Sequence, residues 1–155
     1  MKVSTRGRYG LRAMIDLARN QSGGAIPLRE IAERQNISIQ YLEQIFVNLR
    51  RAGLVRSVRG AHGGYKLNKI PGKIYVGDII KVLEGPVAPS ECLLTEECSE
   101  QSDCITREFW KKVKQSIDDV LYSMTLEDLK NKSLDNKSLE NNSCGNKSGK
   151  EEDNG

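Results

Sequence analysis

Residues 26–67, IPLREIAERQNISIQYLEQIFVNLRRAGLVRSVRGAHGGYKL, decide the fold, because the spacing of their apolar side chains changes from helical to alternating. The pattern predicts a short helix over residues 28–35, a tight turn, and a second helix over residues 39–52. Ser38 suits the N-cap of the second helix, since its hydroxyl can accept a hydrogen bond from a free backbone N–H. Gly53 can adopt the left-handed conformation that ends a helix. Two helices joined by a tight turn predict a helix-turn-helix.

A β-hairpin is predicted directly after the two helices. LVRSV (54–58) alternates and is rich in valine, and YKLNK (65–69) matches it across a glycine-rich loop, RGAHGG (59–64). A helix-turn-helix over about residues 28–52 with a hairpin over about residues 54–69 is the winged helix-turn-helix pattern. The sequence therefore predicts a mainly α fold with one small β-hairpin.

Helical segments on either side complete a DNA-binding domain that we place at residues 1–84. Residues 5–20 carry apolar side chains at helical spacing, and residues 76–84, VGDIIKVLE, form another short helix. GPVAPS, residues 85–90, breaks this helix and opens a cysteine-containing loop over residues 85–104.

A long amphipathic helix is predicted from about residue 105 to residue 124, and we assign residues 105–130 to dimerisation. Its apolar stripe is too large for a lone surface helix and suggests packing against a symmetry mate, with packing on its own domain as the alternative. The stripe consists of Phe109, Trp110, Val113, Ile117, Val120 and Leu121. TLED, residues 125–128, resembles a capping box that begins a last short helix. Residues 131–155 are polar with an NKSLD/NKSLE repeat, which predicts a disordered tail.

Charge divides the chain into two unequal halves. Residues 1–73 hold 14 Lys/Arg and 4 Asp/Glu, a formal charge of +10, whereas residues 74–155 hold 10 and 17, a formal charge of −7. A basic half on a short chain is typical of a nucleic-acid-binding protein, although a solvated basic surface gives the same count. No apolar run approaches the roughly 20 residues that span a bilayer, and no signal-peptide core is present, so we expect a cytoplasmic protein without membrane partners. The absence of a nucleophile–base pair and of a phosphate-binding loop argues against an enzyme.

The first turns of the second helix carry side chains that can read DNA in the major groove. The candidates are Ser38, Gln40, Tyr41, Glu43 and Gln44. Gln can contact adenine through two hydrogen bonds, Ser can bond a base or a phosphate, and Tyr can reach a phosphate or stack. Phosphate repels Glu43, but its carboxylate can accept from cytosine N4 and so reject other sequences. An exposed or internally paired carboxylate is the alternative.

The predicted wing supplies a second contact to DNA. Arg59 can enter a minor groove or contact a phosphate, and Gly60, Gly63 and Gly64 let the backbone approach DNA closely. His62, the only histidine, lies at the loop tip and fits an exposed or phosphate-proximal position better than a metal site.

Cys92, Cys98 and Cys104 are evenly spaced in the predicted loop. Thiolates suit an iron–sulfur cluster, zinc or copper(I), and cytoplasmic thiols usually stay reduced. The spacing differs from the CxxC of a zinc ribbon, and a loop wrapped around a multi-atom cluster accounts for it better than a single ion does. Neighbouring carboxylates disfavour free thiolates, and a bound cationic centre would offset that effect.

The chain resembles the IscR-type iron–sulfur cluster regulators over roughly residues 1–130. The matching stretches are TRGRYGLRAMIDLA, IPLREIAERQNIS, YLEQIFVNLRRAGLVRSVRGAHGGYKL, YVGDIIKVLEGP and the three cysteines. This resemblance implies a homodimeric winged-helix transcription factor, usually a repressor, with a [2Fe-2S] cluster on Cys92, Cys98 and Cys104. It also implies DNA-reading roles for Ser38, Gln40, Glu43, Gln44 and Arg59.

One position departs from the pattern of that family. IscR-type proteins have a histidine three residues after the third cysteine, where this chain has Arg107, and a guanidinium stays protonated and cannot act as an ordinary ligand. The fourth ligand is therefore open. Glu108 is the first candidate, and Asp103, Cys144, a group of the partner subunit or an exogenous ligand are the alternatives.

We therefore expect a homodimeric repressor of iron–sulfur cluster biogenesis or related genes that binds a pseudo-palindromic double-stranded DNA operator and senses through a [2Fe-2S] cluster. One alternative is a nitric-oxide-sensing NsrR-type repressor with a [4Fe-4S] cluster. Another is a cluster-free winged-helix regulator with a zinc site or a thiol switch. Cysteine-metabolism regulators of the CymR type share the DNA-binding half, but the three cysteines argue against that branch.

Overall fold

The computed structural model describes residues 2–95 and 104–135, with side chains described as far as Lys132 in the second range. Six α-helices and one hairpin follow one another in these parts of the chain. They are α1 (Thr5–Asn20), α2 (Leu28–Gln35), α3 (Ile39–Arg51), β1 (Val55–Val58), β2 (Gly64–Leu67), α4 (Val76–Glu84), α5 (Arg107–Leu121) and α6 (Leu126–Asp135). Short 3-10 turns lie at Gln21–Gly23, Pro71–Lys73 and Glu91–Leu93.

Helices α2 and α3 form the predicted helix-turn-helix. Asn36 takes the left-handed conformation, with φ 53°, and turns the chain after α2. Ser38 is the N-cap of α3, and its hydroxyl accepts a hydrogen bond from the backbone N of Tyr41 at 3.2 Å. Gly53, with φ 74°, follows the end of α3 as predicted. The turn chemistry that we inferred from the sequence is therefore confirmed.

Strands β1 and β2 form the wing. They pair antiparallel, with Val55 opposite Leu67 and Val58 opposite Gly64. The inner ends of both strands are buried in the core through Val55 and Leu67. The winged helix fold predicted from the sequence is confirmed, with strands slightly shorter than expected.

The core lies between α1, α3, α4 and α6. Its largest fully buried side chains are Phe46, Met14, Leu17, Ile31, Leu42, Ile45, Leu49, Ile74, Ile79 and Leu126. Helix α4 packs against both α1 and α3, and α6 packs against α1. We call α1 to α4, the wing and α6 the DNA-binding body.

Helix α1 is capped by a side chain from α4. Ser4 occupies the N-cap position, but its hydroxyl makes no cap bond to the helix. Instead Glu84 Oε1 accepts hydrogen bonds from the backbone N of Ser4 at 3.0 Å, from the backbone N of Gly7 at 2.9 Å, and from the Ser4 hydroxyl. A carboxylate is favourable there because the free N–H groups give a helix N-terminus partial positive charge.

The segment that we assigned to dimerisation, residues 105–130, contains two helices, as expected from the capping box predicted at residues 125–128. Helix α5 ends at Leu121, and α6 begins at Leu126, which is fully buried in the core. The backbone N of Leu126 donates to the carbonyl O of Ile74 at 2.9 Å. Burial of Leu126 thus returns the chain to the DNA-binding body, and dimerisation through this segment stays a prediction.

The capping box predicted at residues 125–128 begins α6. The backbone N of Thr125 donates to Asp128 Oδ2 at 2.8 Å, and the backbone N of Asp128 donates to Thr125 Oγ1 at 3.3 Å. Helix α6 continues to Asp135, so the first residues of the predicted tail are helical. The remainder of that prediction, residues 136–155, lies outside the described residues.

Candidate functional site

The exposed face of α3 carries most of the side chains that we predicted to read DNA. The buried face consists of Leu42, Ile45, Phe46 and Leu49. Gln40, Glu43 and Gln44 are exposed, and their spacing of three and four residues places them on one face of the helix. Ser38 is exposed at the start of the same turn. The structure thus brings these four residues together, and their contacts to bases stay a prediction.

Tyr41 differs from these four residues because its ring packs inward. It is half-buried and meets the ring of Tyr9 on α1 edge-to-face, with 6.1 Å between ring centroids. The Arg12 guanidinium lies 5.5 Å from the Tyr9 centroid and donates to the carbonyl O of Gln35 at 2.9 Å. Tyr41 therefore helps to fix α3 on α1, and its predicted contact to DNA stays untested.

The three glycines of the wing occupy positions with different structural requirements. A Cβ at Gly63 would overlap backbone atoms of the wing loop itself, and a Cβ at Gly64 would overlap the backbone of Ile26 and Pro27, so packing of the wing requires both glycines. Gly60, with φ 114°, faces open space and is the wing glycine best suited to a close approach of DNA. Arg59 and His62 are exposed beside it, as predicted.

A set of exposed cations surrounds α3 and the wing. Its members are Arg50, Arg51, Arg56 and Arg59. Among the described residues none of them forms an ion pair, because the ion pairs found there involve other cations. Unpaired cations next to a recognition helix favour the binding of a polyanion.

Two of the three evenly spaced cysteines lie in the described parts of the chain. Cys92 is half-buried, with its Sγ 3.0 Å from Ser90 Oγ, and Cys104 is exposed, with its Sγ 3.5 Å from Thr106 Oγ1. Cys98 lies outside the described residues. Within the described ranges no three His, Cys, Asp or Glu side chains gather into a metal site, so the ligand set stays a prediction.

A groove runs between Cys92 and the first turns of α5, and we call it the thiol groove. Leu93, Leu94 and Thr95 line one side, and Arg107, Lys111 and Lys114 line the other. The sequence analysis did not single out these lysines, although the spacing of 107, 111 and 114 places all three cations on one helix face. Asp118 lines the same wall and pairs with Lys114, and Lys111 pairs with Glu108, so the positive charge of this wall is partly neutralised.

Glu108, the first candidate for a fourth ligand, does not line the thiol groove. It is exposed, and its Oε1 accepts a hydrogen bond from Lys111 Nζ at 2.7 Å. The hydrogen bond from Lys111 lowers the pKa of the Glu108 carboxyl below its usual value, so the group is an anion at neutral pH. Ligation by Glu108 stays a prediction.

Helix α5 presents an uncovered apolar face. None of its residues is buried, and Phe109 and Val120 are 58% and 63% exposed. Val113, Ile117, Val120 and Leu121 line an apolar groove on its surface. A continuous exposed apolar face of this kind marks an interaction surface.

The fold and the exposed basic recognition surface define a winged-helix DNA-binding protein. Residues 3–132 match the model of the Rrf2 family, described as iron-dependent transcriptional regulators. The chain therefore belongs to the Rrf2 family, and it is a transcriptional regulator rather than an enzyme.

The relatives include both branches named in the sequence analysis. The HTH-type transcriptional regulator CymR of Bacillus subtilis is 50% identical over 129 residues, which cover 83% of this chain and 89% of that protein. The HTH-type transcriptional regulator IscR of Pectobacterium atrosepticum is 41% identical over 131 residues, 84% of this chain and 80% of that protein. Since 129 residues exceed the predicted DNA-binding domain, the similarity to CymR extends beyond that half.

Two solved structures show the same relationship. The structure of CymR, the global cysteine regulator of B. subtilis, has a TM-score of 0.74 at 46% identity and covers 84% of this chain and 97% of its own. The structure of T. potens IscR has a TM-score of 0.69 at 44% identity and covers 94% of both chains. The resemblance to IscR-type regulators is thus confirmed at the level of the family. In the described ranges, no helix has the length and apolar character needed to cross a bilayer.

Proposed function

We propose that this chain is a cytoplasmic, homodimeric transcriptional repressor that binds a pseudo-palindromic DNA operator under the control of an iron–sulfur cluster on Cys92, Cys98 and Cys104. The observation that carries the proposal is the thiol groove, because Cys92 and the first turns of α5 share it. A group held there touches the helix that we assign to the dimer interface. Its presence can therefore change how the two DNA-binding bodies are held.

The residues present fit such a cluster. Thiolates are soft ligands, the hydroxyls of Ser90 and Thr106 lie beside the two described thiols, and Arg107 supplies positive charge in the same groove. A bound cluster would supply a centre that is lost under iron limitation, oxidation or nitric oxide. Cys92 and Cys104 delimit the intervening loop, so ligation by both would tie that loop to the start of α5.

Anaerobic purification of the full chain tests the cluster. We expect a coloured protein with iron and acid-labile sulfide, and loss of both in Cys92→Ser and Cys98→Ser. Cys144→Ser is the matched control and should keep the cluster; its loss there would make the tail thiol the fourth ligand. A colourless zinc-loaded protein would contradict the proposal, and Mössbauer spectra separate [2Fe-2S] from [4Fe-4S].

The DNA-binding role is tested by fluorescence anisotropy with a duplex selected from a random library. Arg59→Ala should weaken binding by about 1–3 kcal/mol, and a change in sequence preference would identify a base contact rather than a phosphate contact. Glu43→Gln should relax selection at the position that the carboxylate reads. Lys130→Ala, on α6, is the control. Equal affinity with and without the cluster on every selected duplex would contradict regulation by the cluster.

The dimer is tested by sedimentation. The uncovered face of α5 supports self-association, and two recognition helices related by a two-fold axis would address half-sites about one helical turn or more apart. Val120→Glu places a charge in the apolar groove and should shift the protein towards the monomer. Asp119→Asn, on the same helix, lies outside that groove and should leave the dimer intact.

A regulator of cysteine metabolism genes is the second candidate, because the relative that is 50% identical has a structure described as the global cysteine regulator. Transcript profiling after deletion of the gene separates the two candidates. Raised transcripts for cluster assembly support the first candidate, and raised transcripts for cysteine synthesis and uptake support the second.

A further inference from the structure

A second cavity, which we call the α4–α5 cavity, lies where α5 meets the DNA-binding body. Its volume is about 300 Å³. The side chains that matter for its chemistry are Lys81 on α4, Val87 in the following segment, and Lys114, Asp118, Leu121 and Tyr122 on and just after α5. Lys114 and Asp118 also line the thiol groove, so the two spaces are neighbours.

Fixed elements close one end of this cavity. A Cβ added at Gly77 would lie 2.6 Å from Cζ of the Tyr122 ring, so the ring rests directly on the first turn of α4. Two residues further on, the carbonyl O of Met124 accepts a hydrogen bond from the backbone N of Val76 at 3.0 Å. Gly77 and the Tyr122 ring, itself 42% exposed, thus form one end of the cavity, and the exposed Lys81 and Pro86 leave the rest of it open to solvent.

The charges around the cavity are of both signs. Lys81 makes no ion pair or hydrogen bond through its side chain with any described residue. Asp118 pairs with Lys114 at 2.5 Å, and both side chains remain about one-third exposed, at 34% and 32%. An unpaired cation thus lies on the α4 wall, and an ion pair of one lysine and one carboxylate lies on the α5 wall.

These features restrict the ligand to a narrow class. A carboxylate can pair with Lys81, and an ammonium group can pair with Asp118, which has Lys114 as its only present ion-pair partner among the described residues. Val87 and Leu121 offer apolar contact to a short side chain. A simple anion could pair with Lys81 but would offer nothing to Asp118, and an apolar molecule would leave Lys81 without a partner.

We propose that the α4–α5 cavity binds a free L-α-amino acid with a small side chain. Its carboxylate pairs with Lys81 and its ammonium group with Asp118. The volume lies at the lower end of the range for small-molecule sites, about 300–1,000 Å³, which excludes large ligands. This proposal goes beyond the cluster and does not require it.

Binding at this position would reach the recognition helix through α4. A ligand that joins Lys81 to Asp118 ties α4 to α5, and α4 packs against α1 and α3. If α5 forms the dimer interface, the ligand changes the tilt of the two recognition helices relative to each other. The amino acid would then alter operator affinity without contacting DNA.

Isothermal titration calorimetry of the full chain, freed of metal and without DNA, tests the proposal independently of the cluster. The probes are glycine, L-alanine, L-serine, L-cysteine and L-valine, each under reducing conditions. L-alanine amide and N-acetyl-L-alanine each lack one of the two charges. We expect at least one amino acid to bind with a Kd below about 1 mM, and both singly charged analogues to bind about tenfold or more weakly.

Matched variants locate the site. Lys81→Met and Asp118→Asn should each weaken binding about tenfold or more, whereas Lys112→Met and Asp119→Asn, neighbouring charges that do not line the cavity, should bind as the wild type does. Val87→Trp fills the cavity without removing a charge and should abolish binding. Circular dichroism and thermal melting establish that each variant is folded.

Three results would overturn the proposal. The first is that no amino acid gives a heat of binding up to about 10 mM, well above the expected Kd. The second is that the analogues that lack one charge bind as well as the amino acid. The third is that the cavity variants and their controls weaken binding equally. Binding that Val87→Trp leaves unchanged would likewise place the ligand elsewhere and overturn it.

Discussion

Replacing Glu84 with alanine removes the acceptor that joins the start of α1 to the end of α4. Glu84 Oε1 accepts from the backbone N of Ser4 at 3.0 Å and from the backbone N of Gly7 at 2.9 Å. Loss of a helix cap costs about 1 kcal/mol, and a hydrogen bond to a charged group contributes about 1.5–3 kcal/mol. Because the site is only half-buried, water can reach part of it. We therefore expect Glu84→Ala to lower the free energy of unfolding by about 2 kcal/mol.

Gly7→Ala tests the same contact from the other side. In a helix, alanine in place of glycine usually stabilises by about 0.5–1 kcal/mol. Here the added Cβ would overlap the Glu84 carboxylate and lie 3.0 Å from Cγ1 of Val3. We expect Gly7→Ala to destabilise the wild type by about 1 kcal/mol and to be neutral or stabilising in the Glu84→Ala background, which is a coupling between neighbours.

Urea unfolding followed by circular dichroism measures all four proteins of this cycle. One fixed protein concentration is used, because the stability of a dimer depends on concentration. Glu33→Ala, which removes an exposed pair with Arg29, is the control and should stay within about 0.5 kcal/mol of the wild type. The reasoning is refuted if Glu84→Ala does the same, or if Gly7→Ala stabilises the wild type as much as it stabilises Glu84→Ala.

Three further changes test other parts of the fold. Arg34→Ala removes the ion-pair partner that lies 2.7 Å from the buried Asp16 carboxylate. Because Arg34 is itself 37% exposed, we expect the free energy of unfolding in urea to fall by about 2 kcal/mol. No loss would show that Asp16 needs no cation. Gly64→Ala, at φ 147° against facing backbone, should lower the melting temperature more than Gly60→Ala, at φ 114° beside open space. Equal losses would contradict the packing argument. Hydrogen bonds from Thr125 within the capping box lower the pKa of the Asp128 carboxyl below its usual value. The charged form therefore stabilises the fold above the pKa of the unfolded chain. This contribution is lost as the pH falls through the lower pKa of the folded state. Asp128→Asn should therefore melt below the wild type near neutral pH and together with it in acid.

The helix-turn-helix and the wing could be predicted because their signals are local. The Ser38 cap, the Gly53 end and the change in apolar spacing all act within a few residues of where they appear in the sequence. The capping box at residues 125–128 is local in the same way. The exposed face of α3 follows from its buried face, so Gln40 and Gln44 could be placed before the structure was known.

The missed features depend on contacts between distant parts of the chain. Glu84 caps a helix whose first residues lie 80 positions earlier, and no local pattern marks such an acceptor. The capping box predicted the start of α6, but burial of Leu126 against the core could not be predicted from it. Tyr41 packs inward because Tyr9 lies opposite it on α1. Among the missed features, only the cations of the thiol groove could have been predicted from the sequence, because the spacing of Arg107 and Lys111 places both on one helix face.

The thiol groove and the α4–α5 cavity meet at the same wall, because Lys114 and Asp118 line both. A group bound in either space acts on α5, and Tyr122 rests on α4 at the far end of that helix. If both sites are occupied as proposed and both ligands bias the same change in α5, binding of one alters the affinity for the other. Thermodynamic linkage makes this effect reciprocal. If the amino acid changes the affinity for the cluster by some factor, the cluster changes the affinity for the amino acid by the same factor. The contact between α4 and α5 would then respond to both ligands, and its combined response would be passed to the recognition helix through the packing of α4 on α3.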